Sequence, residues 1–337
     1  MRKLSRIAIL IVVVALMATM AVSVGAASKP KLGAVMIDLT HPFYVRMMYA
    51  GNKAAQDYGV DVVWKSAEGS LEKELALVEN FVQQKVDVIL IDPIDKIGVK
   101  PAIEKAKAAG IPVITMGNLV ETDWNVNTLY NDYEDCKMIA KFVGTKLNGK
   151  GNVVVIIGNK GNFCSDQREA GFLEGIKAYP GIKVLSIQPS DWDPVKGMRI
   201  MENWLATYPK IDALFFVSDA VGMGAIQAIR AANRMKEIQI FGYDGDEEVV
   251  DLIAKGEVQT DLLTGAERVG YWNIKVAADL ARGVKTDKIL RLPTYVVTTA
   301  ENAALFKKAG IQARYITPEE HEKYANGYRA EFGPKKK

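Results

Sequence analysis

Residues 32–58, LGAVMIDLTHPFYVRMMYAGNKAAQDY, decide the fold class because their hydrophobic period changes once along the segment. Residues 32–37 form a continuous apolar run, which is typical of a strand buried on both faces of a parallel sheet. From residue 44 to residue 58 apolar side chains recur every three or four positions, and Gly59 stands where a helix commonly ends. The segment therefore predicts a strand, a loop and a helix.

The same strand-and-helix unit recurs in two blocks along the chain. The first block predicts further strands at 60–64, 86–91 and 111–115 and helices at 71–84 and 99–109. The second block predicts strands at 153–157, 182–187, 213–217 and 238–241 and helices at 167–178, 195–208, 220–232 and 247–254. Since parallel strands are joined by right-handed crossovers, two such blocks predict two doubly wound α/β units, each with a parallel sheet. A helical tail is expected from about residue 301, with a frayed end at 333–337.

Length and composition exclude several classes of protein. A chain of 337 residues with 49% hydrophobic and 25% charged residues is globular and long enough for about two domains. A net charge of +3 provides no basic surface for nucleic acid, so DNA and RNA are not expected as partners. With two cysteines, Cys136 and Cys164, and two histidines, the chain is expected to hold isolated buried thiols, no disulfide framework, no metal and no cofactor.

The N-terminal 27 residues have the layout of a secretory signal peptide. Arg2, Lys3 and Arg6 precede an apolar stretch at 7–17, and small residues follow at 24–27. An uncleaved membrane anchor is the alternative, because residues 7–24 approach the ~20 apolar residues that span a bilayer. The small residues favour cleavage near residues 26–27, which predicts an exported, periplasmic protein.

Polar and aromatic residues cluster directly after the predicted strands. In open parallel sheets ligands bind beyond the carboxyl ends of strands, so these residues are candidates for a binding site. Carboxylates accept hydrogen bonds from hydroxyl groups, a guanidinium donates several, and aromatic faces cover the C–H patches of a sugar. The pattern favours a neutral polyhydroxylated ligand held in a cleft that closes between two lobes.

Six motifs, in this order and spacing, resemble the periplasmic sugar-binding proteins of the ribose-binding type. They are DLTHPFY at 38–44, IDPID at 91–95, AGIPVIT at 109–115, REAGF at 168–172, PSDWD at 189–193 and FGYDG at 241–245. The resemblance implies a type I periplasmic binding protein fold, in which two Rossmann-like lobes with parallel sheets are joined by a hinge of three crossings. These crossings are expected near 130–131, 264–265 and 292–293. The implied division is a signal peptide at 1–27, an N-terminal lobe of 28–130 plus 265–292, and a C-terminal lobe of 131–264 plus 293–337.

The resemblance also implies a function and a set of ligand contacts. Such proteins capture a sugar or polyol and deliver it to a membrane ABC permease, as monomers and without catalysis, and a chemoreceptor is a second candidate partner. Trp192 is expected to face Phe43 or Tyr44 across the sugar ring, while Arg168, Asp92 and Asp244 bind its hydroxyls. The full set of implied contacts is His41, Phe43, Tyr44, Asp92, Asn118, Arg168, Trp192, Ser218, Asp244 and Thr264.

The chain departs from the usual pattern of this family at several of these positions. Gly117 and Asn118 stand where Asp-Arg is usual, so both a carboxylate and a guanidinium are missing. His41 replaces the usual Asn, Ser218 an Asn or Asp, and Thr264 a Gln or Asn. A different sugar, a sugar alcohol or a less hydroxylated molecule is therefore as plausible a ligand as ribose.

Each candidate residue also has a structural interpretation. Trp192 could cap the core, Arg168 could form a surface ion pair, and Asp92, Asp244 and His41 could serve turns or helix caps. Two other functions share the fold: a membrane-held or chemotaxis-linked sensory module, and an exported α/β enzyme. The enzyme is disfavoured because GMGAIQ at 222–227 lacks the third glycine of a dinucleotide fingerprint, and no phosphate-loop or nucleophile-elbow motif occurs.

Overall fold

The computed structural model describes residues 28–335, so the predicted signal peptide lies outside the described residues. Within that range the chain forms two β-sheets flanked by helices. The strands are β1 Lys31–Met36, β2 Asp61–Ser66, β3 Val88–Ile91, β4 Val113–Met116, β5 Val126–Leu129, β6 Lys150–Ile157, β7 Gly181–Pro189, β8 Ala213–Phe216, β9 Gln239–Phe241, β10 Thr260–Leu263, β11 Ile289–Arg291, β12 Tyr295–Thr298 and β13 Tyr315–Ile316.

The helices alternate with the strands, as the sequence predicts. They are α1 Pro42–Tyr58, α2 Leu71–Gln83, α3 Lys100–Ala108, α4 Asp132–Lys146, α5 Phe163–Ile176, α6 Pro194–Thr207, α7 Asp219–Ala231, α8 Glu247–Ala254, α9 Ala266–Ala281, α10 Ala300–Lys308, α11 His321–Ala325 and α12 Tyr328–Phe332. The sequence did not predict α4 and α9; the boundaries of the helices that it did predict differ from the observed ones by a few residues at most, the usual uncertainty at frayed helix ends. No helix between residues 28 and 335 combines the length and the hydrophobicity that a membrane crossing requires.

The first sheet has the strand order β11-β5-β4-β3-β1-β2, and all its neighbours are parallel. Its central strands are covered on both faces: Leu32, Ala34 and Met36 of β1 pack in one hydrophobic cluster, and Val35 packs in another. Burial on both faces is why β1, β3 and β4 are almost continuously apolar in sequence. This sheet, with its helices, is called the N-terminal unit below.

The second sheet has the order β13-β12-β10-β9-β8-β6-β7, and with its helices it forms the C-terminal unit. The sheet is predominantly parallel, as the sequence predicts, but β12 runs antiparallel to β10. Only residues 292–294 separate β11 in the first sheet from β12 in the second. With no crossover before it, β12 begins at the edge of the second sheet where β10 ends, with Tyr295 opposite Leu263, and therefore runs antiparallel to β10.

The chain passes between the two units three times. The connections run from β5 through α4 to β6, from β10 through α9 to β11, and directly from β11 to β12. They contain the crossing points expected near 130–131, 264–265 and 292–293. The three connections are in contact, since Arg291 donates to the Tyr130 carbonyl at 2.8 Å and Arg268 donates to the carbonyls of Thr264 and Pro293, each at 3.0 Å. Such an arrangement is typical of a hinge between two domains.

The C-terminal tail ends on the N-terminal unit, not on the C-terminal lobe to which the sequence assigned all of 293–337. Tyr328 of α12 packs against Tyr271 of α9 with ring centroids 5.1 Å apart. Arg268, which is fully buried, donates to Glu331 at 2.9 and 3.0 Å. A short amphipathic helix gains stability by burying its apolar face, and the open flank of α9 offers such a surface.

Candidate functional site

A cavity of about 480 Å³ lies between the two units, at the carboxyl ends of their strands. Loops after β1, β3 and β4 line one side, and loops after β6, β7, β8 and β9 line the other. This is the position that the rule for open α/β sheets predicts. Nine of the ten candidate residues line it: His41, Phe43, Tyr44, Asp92, Asn118, Arg168, Trp192, Ser218 and Asp244.

Thr264 is the candidate that does not line the cavity. Its side chain is fully buried behind Asp244, and its hydroxyl donates to the Asp244 carbonyl at 3.4 Å. The backbone N–H groups of Thr264 and Gly265 donate to the same carbonyl at 3.2 and 3.1 Å. Asp244 has a φ of 136°, a conformation that neighbouring bonds must stabilise in a residue with a Cβ. Thr264 therefore supports Asp244 instead of facing the cavity.

Arg168, on α5, is held by carboxylates on two sides. Its Nε donates to Asp132 at 2.8 Å, and its Nη1 donates to the Val217 carbonyl at 2.6 Å and to Asp244 at 3.3 Å. The guanidinium also lies over the Tyr243 ring, 3.6 Å from its centroid. With only 3% of the residue exposed, the surface ion pair considered above is excluded. A planar group fixed in this way can present its remaining N–H bonds in one direction only.

Asp132 and Asp244 balance the charge of Arg168. Burial raises the pKa of Asp244 to about 6, although the neighbouring guanidinium opposes the shift. Asp132 begins α4 just after β5. Because β5 was not predicted, the residues that follow it were not considered as strand-end candidates, and Asp132 was missed. A first-turn aspartate after a recognised strand would have been a usable signal, since carboxylates favour helix N-termini.

Asp92 is a buried carboxyl group that lines the cavity without a cationic partner among the described residues. Its Oδ1 accepts a hydrogen bond from Asn118 Nδ2 at 2.8 Å. Burial raises its pKa to about 7, and hydrogen bonds with Tyr44 and Asn118 lower it only in part. Asn118 Oδ1 in turn accepts from the backbone N–H of Cys164 at 3.1 Å, so Asn118 links the two units.

Replacing Asp92 by asparagine should stabilise the ligand-free protein relative to wild type as the pH rises. A carboxyl whose pKa is near 4 in the unfolded chain and about 7 in the folded protein contributes stability below pH 4 that is lost as the pH rises through 7. Because the asparagine amide does not ionise, Asp92→Asn should avoid that loss and gain on the order of 2 kcal/mol over wild type between pH 5 and pH 8. Denaturant unfolding at the two pH values measures it, with the exposed Asp61→Asn as the control. A gain that does not change with pH would contradict this account of Asp92.

His41 caps a helix, as its structural interpretation holds, and its ring also offers a hydrogen-bond donor to the cavity. Its Nδ1 accepts from the backbone N–H of Phe43 at 3.2 Å and caps α1. In the neutral ring the proton then resides on Nε2, which is buried, lies near the Trp192 backbone and forms no well-aligned hydrogen bond among the described residues. Burial lowers the pKa of His41, which favours the neutral ring. His41 is thus a neutral hydrogen-bond donor at the cavity wall.

Aromatic rings line the cavity from both units. Phe43 and Tyr44 meet edge to face, with centroids 5.6 Å apart, so both rings reach the cavity. Trp192 lies on the opposite unit and packs against Gly158, where a Cβ would come within 2.2 Å of the indole ring. Trp192 therefore both covers the core, as its structural interpretation holds, and faces the cavity.

Several lining residues were not identified from the sequence. Tyr130 ends the connection after β5, and Asn159 and Asn162 follow β6. Asn159 Oδ1 is buried without a protein partner within the described chain, which leaves an acceptor for a ligand. Cys164, expected to be an isolated thiol, is free and buried but also lines the cavity.

Contacts between the units surround the cavity. Arg46 of α1 forms an ion pair with Asp246, and its Nε lies 3.8 Å from Glu267. On the other side, Lys96 lies 3.8 Å from Asp166. Together with the bond from Cys164 to Asn118, these contacts join opposite rims of the cleft. The units are therefore in contact around the cavity in this conformation.

Comparisons with known proteins match this architecture. A family model described as a periplasmic binding protein domain matches residues 32–285. A ribose import binding protein of Bacillus subtilis is 29% identical over 269 residues, covering 79% of this chain and 87% of that protein. A xylitol-binding protein of Mycolicibacterium smegmatis is 29% identical over 244 residues, covering 71% of this chain and 69% of that protein. An ABC transporter solute binding protein from Mycobacterium smegmatis, solved with bound glycerol, superposes with a TM-score of 0.77 at 26% identity and covers 82% of this chain and 96% of that one.

Proposed function

Because this chain belongs to the periplasmic binding protein family, we propose that it captures a sugar or polyol in the cavity between its units and delivers it to an ABC transporter permease. The observation that carries the proposal is the lining of that cavity. Fixed donors and acceptors from both units converge there between aromatic rings. The names of relatives, which refer to ribose import, to xylitol binding and to bound glycerol, support the same class of ligand.

The side chains of the cavity suit a ligand with several hydroxyl groups. Asp92, Asp244 and Asn159 offer acceptors, while Arg168 and His41 offer donors. A ring carrying hydroxyls on its edge and C–H groups on its faces would bind these groups and stack between Trp192 and the Phe43–Tyr44 pair. A volume of about 480 Å³ lies in the range of small-molecule sites.

We propose binding without chemical conversion. Among the described residues, the one thiol that lines the cavity belongs to Cys164, and burial raises its pKa well above the usual value. The thiolate, which is the reactive form, is therefore disfavoured. Binding and release then depend on the relative motion of the two units, with the Arg46–Asp246 pair and the Asn118–Cys164 bond forming as the cleft closes.

The proposed location is the periplasm, after removal of the signal peptide. Mass spectrometry of the protein purified from the producing cells would show an N-terminus near residue 27 or 28. A retained leader would favour the membrane-held sensory module over a permease-linked carrier.

A thermal-shift screen tests the ligand class directly. The mature protein is expected to melt about 5 °C higher or more with at least one member of a panel of pentoses, hexoses, deoxysugars and polyols, because a ligand at 100 times its Kd stabilises the native state by about 2.7 kcal/mol. A matched panel of amino acids is the control. No shift with any sugar or polyol at millimolar concentration would overturn the proposal.

A further inference from the structure

Two fully buried carboxyl groups lie beneath the loop that carries Asp244. Asp219 begins α7, and Asp261 lies on β10; neither is exposed to solvent. The loop above them, Gly242 to Asp246, follows β9 and holds two residues of the cleft. Asp244 lines the cavity, and Asp246 forms the ion pair with Arg46 of the other unit.

Both carboxyl groups bind the same segment of the loop backbone. Asp219 Oδ2 accepts from the N–H of Gly245 at 3.1 Å and from the N–H of Asp246 at 2.7 Å. Asp261 Oδ2 accepts from the same N–H of Gly245 at 2.9 Å. Their Oδ1 atoms border the same space beside Gly242, since a Cβ on Gly242 would lie 2.9 Å from that of Asp261 and 3.0 Å from that of Asp219. Asp261 Oδ1 also accepts from the backbone N–H of Leu262 at 2.7 Å.

No lysine or arginine among residues 28–335 forms an ion pair with either carboxyl group. The cations that bind the loop residues Asp244 and Asp246 are engaged there: Arg168 with Asp132 and Asp244, and Arg46 with Asp246 and Glu267. His321 of α11 contacts the loop at the Gly245 carbonyl, 2.8 Å away, and not the carboxyl groups. The other charged groups facing the pair, Asp244 and Asp246, are negative and add to the repulsion.

Two ionised carboxylates that are out of water and accept from the same N–H repel strongly, so such pairs retain one proton between them. Asp219 Oδ1 is buried and has no hydrogen-bond partner among the described residues, which makes it a suitable place for that proton. Burial and the Asp261 charge raise the pKa of Asp219 well above its usual value, and burial raises the pKa of Asp261 to about 8.

We propose that Asp219 and Asp261 are positioning residues that share one proton, and that this shared proton holds the loop in the conformation that presents Asp244 to the ligand and Asp246 to Arg46. The loop needs such support because Asp244 and Gly245 have φ values of 136° and 84°. Loss of the proton places a second negative charge beneath a loop that already carries two aspartates. The loop then loosens, and both the binding site and the contact between units weaken.

Hydrogen exchange on the ligand-free mature protein tests the proposal. The peptide covering residues 242–246 should lose at least tenfold in protection between pH 6.5 and pH 9.5, after correction for the intrinsic exchange rate. Asp219→Asn should keep its protection over the whole range, since the amide oxygen can still accept from the loop at the Oδ2 position, and the amide nitrogen at the Oδ1 position supplies an N–H that it cannot lose in this range. Asp219→Ala, which supplies neither the donor nor the acceptor, should be poorly protected throughout.

Asp212→Asn is the matched control, because Asp212 is a partly buried aspartate of the same unit that pairs with Lys210 at 3.2 Å. It should leave the exchange of residues 242–246 and its pH dependence as in wild type. Protection of the loop that does not change up to pH 9.5 in wild type would overturn the proposal, as would an alkaline loss in Asp219→Asn equal to that of wild type. The experiment uses no ligand, so its outcome is independent of whether a sugar binds.

Discussion

Replacing Arg168 by leucine is expected to abolish ligand binding and to lower the free energy of unfolding by about 3–5 kcal/mol, the cost of removing one partner from a buried ion pair. Among the described residues, the guanidinium is the single cation that pairs with both Asp132 and Asp244, which are themselves buried. Without it, two carboxyl groups lose their charge partner, and the Val217 carbonyl loses a donor at 2.6 Å. Denaturant unfolding and titration calorimetry with the sugar that gives a thermal shift measure the two effects.

A second substitution separates the ion pair from simple loss of packing. Adding Asp132→Asn to Arg168→Leu should recover part of the lost stability, because it removes one of the uncompensated charges. Arg230→Leu is the control, since Arg230 pairs with Glu257 on the surface and should cost at most about 1 kcal/mol. If Arg168→Leu cost no more than this control, the buried network would not stabilise the C-terminal unit as described.

Asp244→Ala is expected to weaken ligand binding by at least about 2 kcal/mol, a loss of roughly 30-fold in affinity. Asp244 lines the cavity, and its two carboxylate oxygens accept from Arg168 and from the backbone N–H of Asp219, both at 3.3 Å. Its removal leaves ligand hydroxyls and part of the guanidinium without an acceptor in a site that excludes water. Calorimetry with the same sugar gives the change in Kd.

Asp244→Asn distinguishes the chemistry of the side chain from strain in the backbone. Asparagine tolerates positive φ better than alanine does, so it keeps the loop at φ 136° but carries no charge. Its loss in affinity should lie between those of wild type and Asp244→Ala. Asp251→Ala, at an exposed position of α8, is the control and should bind as wild type does. If Asp244→Ala bound the sugar with unchanged affinity, Asp244 would not be a ligand contact.

The sequence did not predict β5, β10, β11, β12 or β13, and two of these, β5 and β10, share a physical cause. β5, with the sequence VNTL, and β10, with TDLL, bury polar residues that a pattern of hydrophobicity reads as loop. Asn127 Oδ1 accepts from Thr115 at 2.7 Å, and Thr128 donates to Asn273 at 2.6 Å. These partners lie on other elements, one of them 145 residues away in sequence. Burial of a polar group is stable only when such partners exist, and a local pattern contains no information about them.

The binding site shows the same division between local and tertiary information. The rule that ligands bind beyond strand ends, joined to the family resemblance, identified nine residues that line one cavity. It did not identify Asp132, which follows an unpredicted strand, and it placed Thr264 in the cavity, although Thr264 lies behind Asp244. Being next to a strand end determines which loop a residue occupies, but not which side of that loop its side chain faces.

The sequence by itself determined the alternation of strands and helices, the two α/β units and the loops that meet at the cleft, because hydrophobic period and turn residues are local properties of the chain. Only the tertiary structure decided the antiparallel β12, the docking of α12 on the N-terminal unit, the charge network around Arg168 and the buried pair of Asp219 and Asp261. Each of these depends on groups that are distant in sequence and meet only after folding. Their energies come from burial and charge compensation between such groups, which a local pattern cannot express.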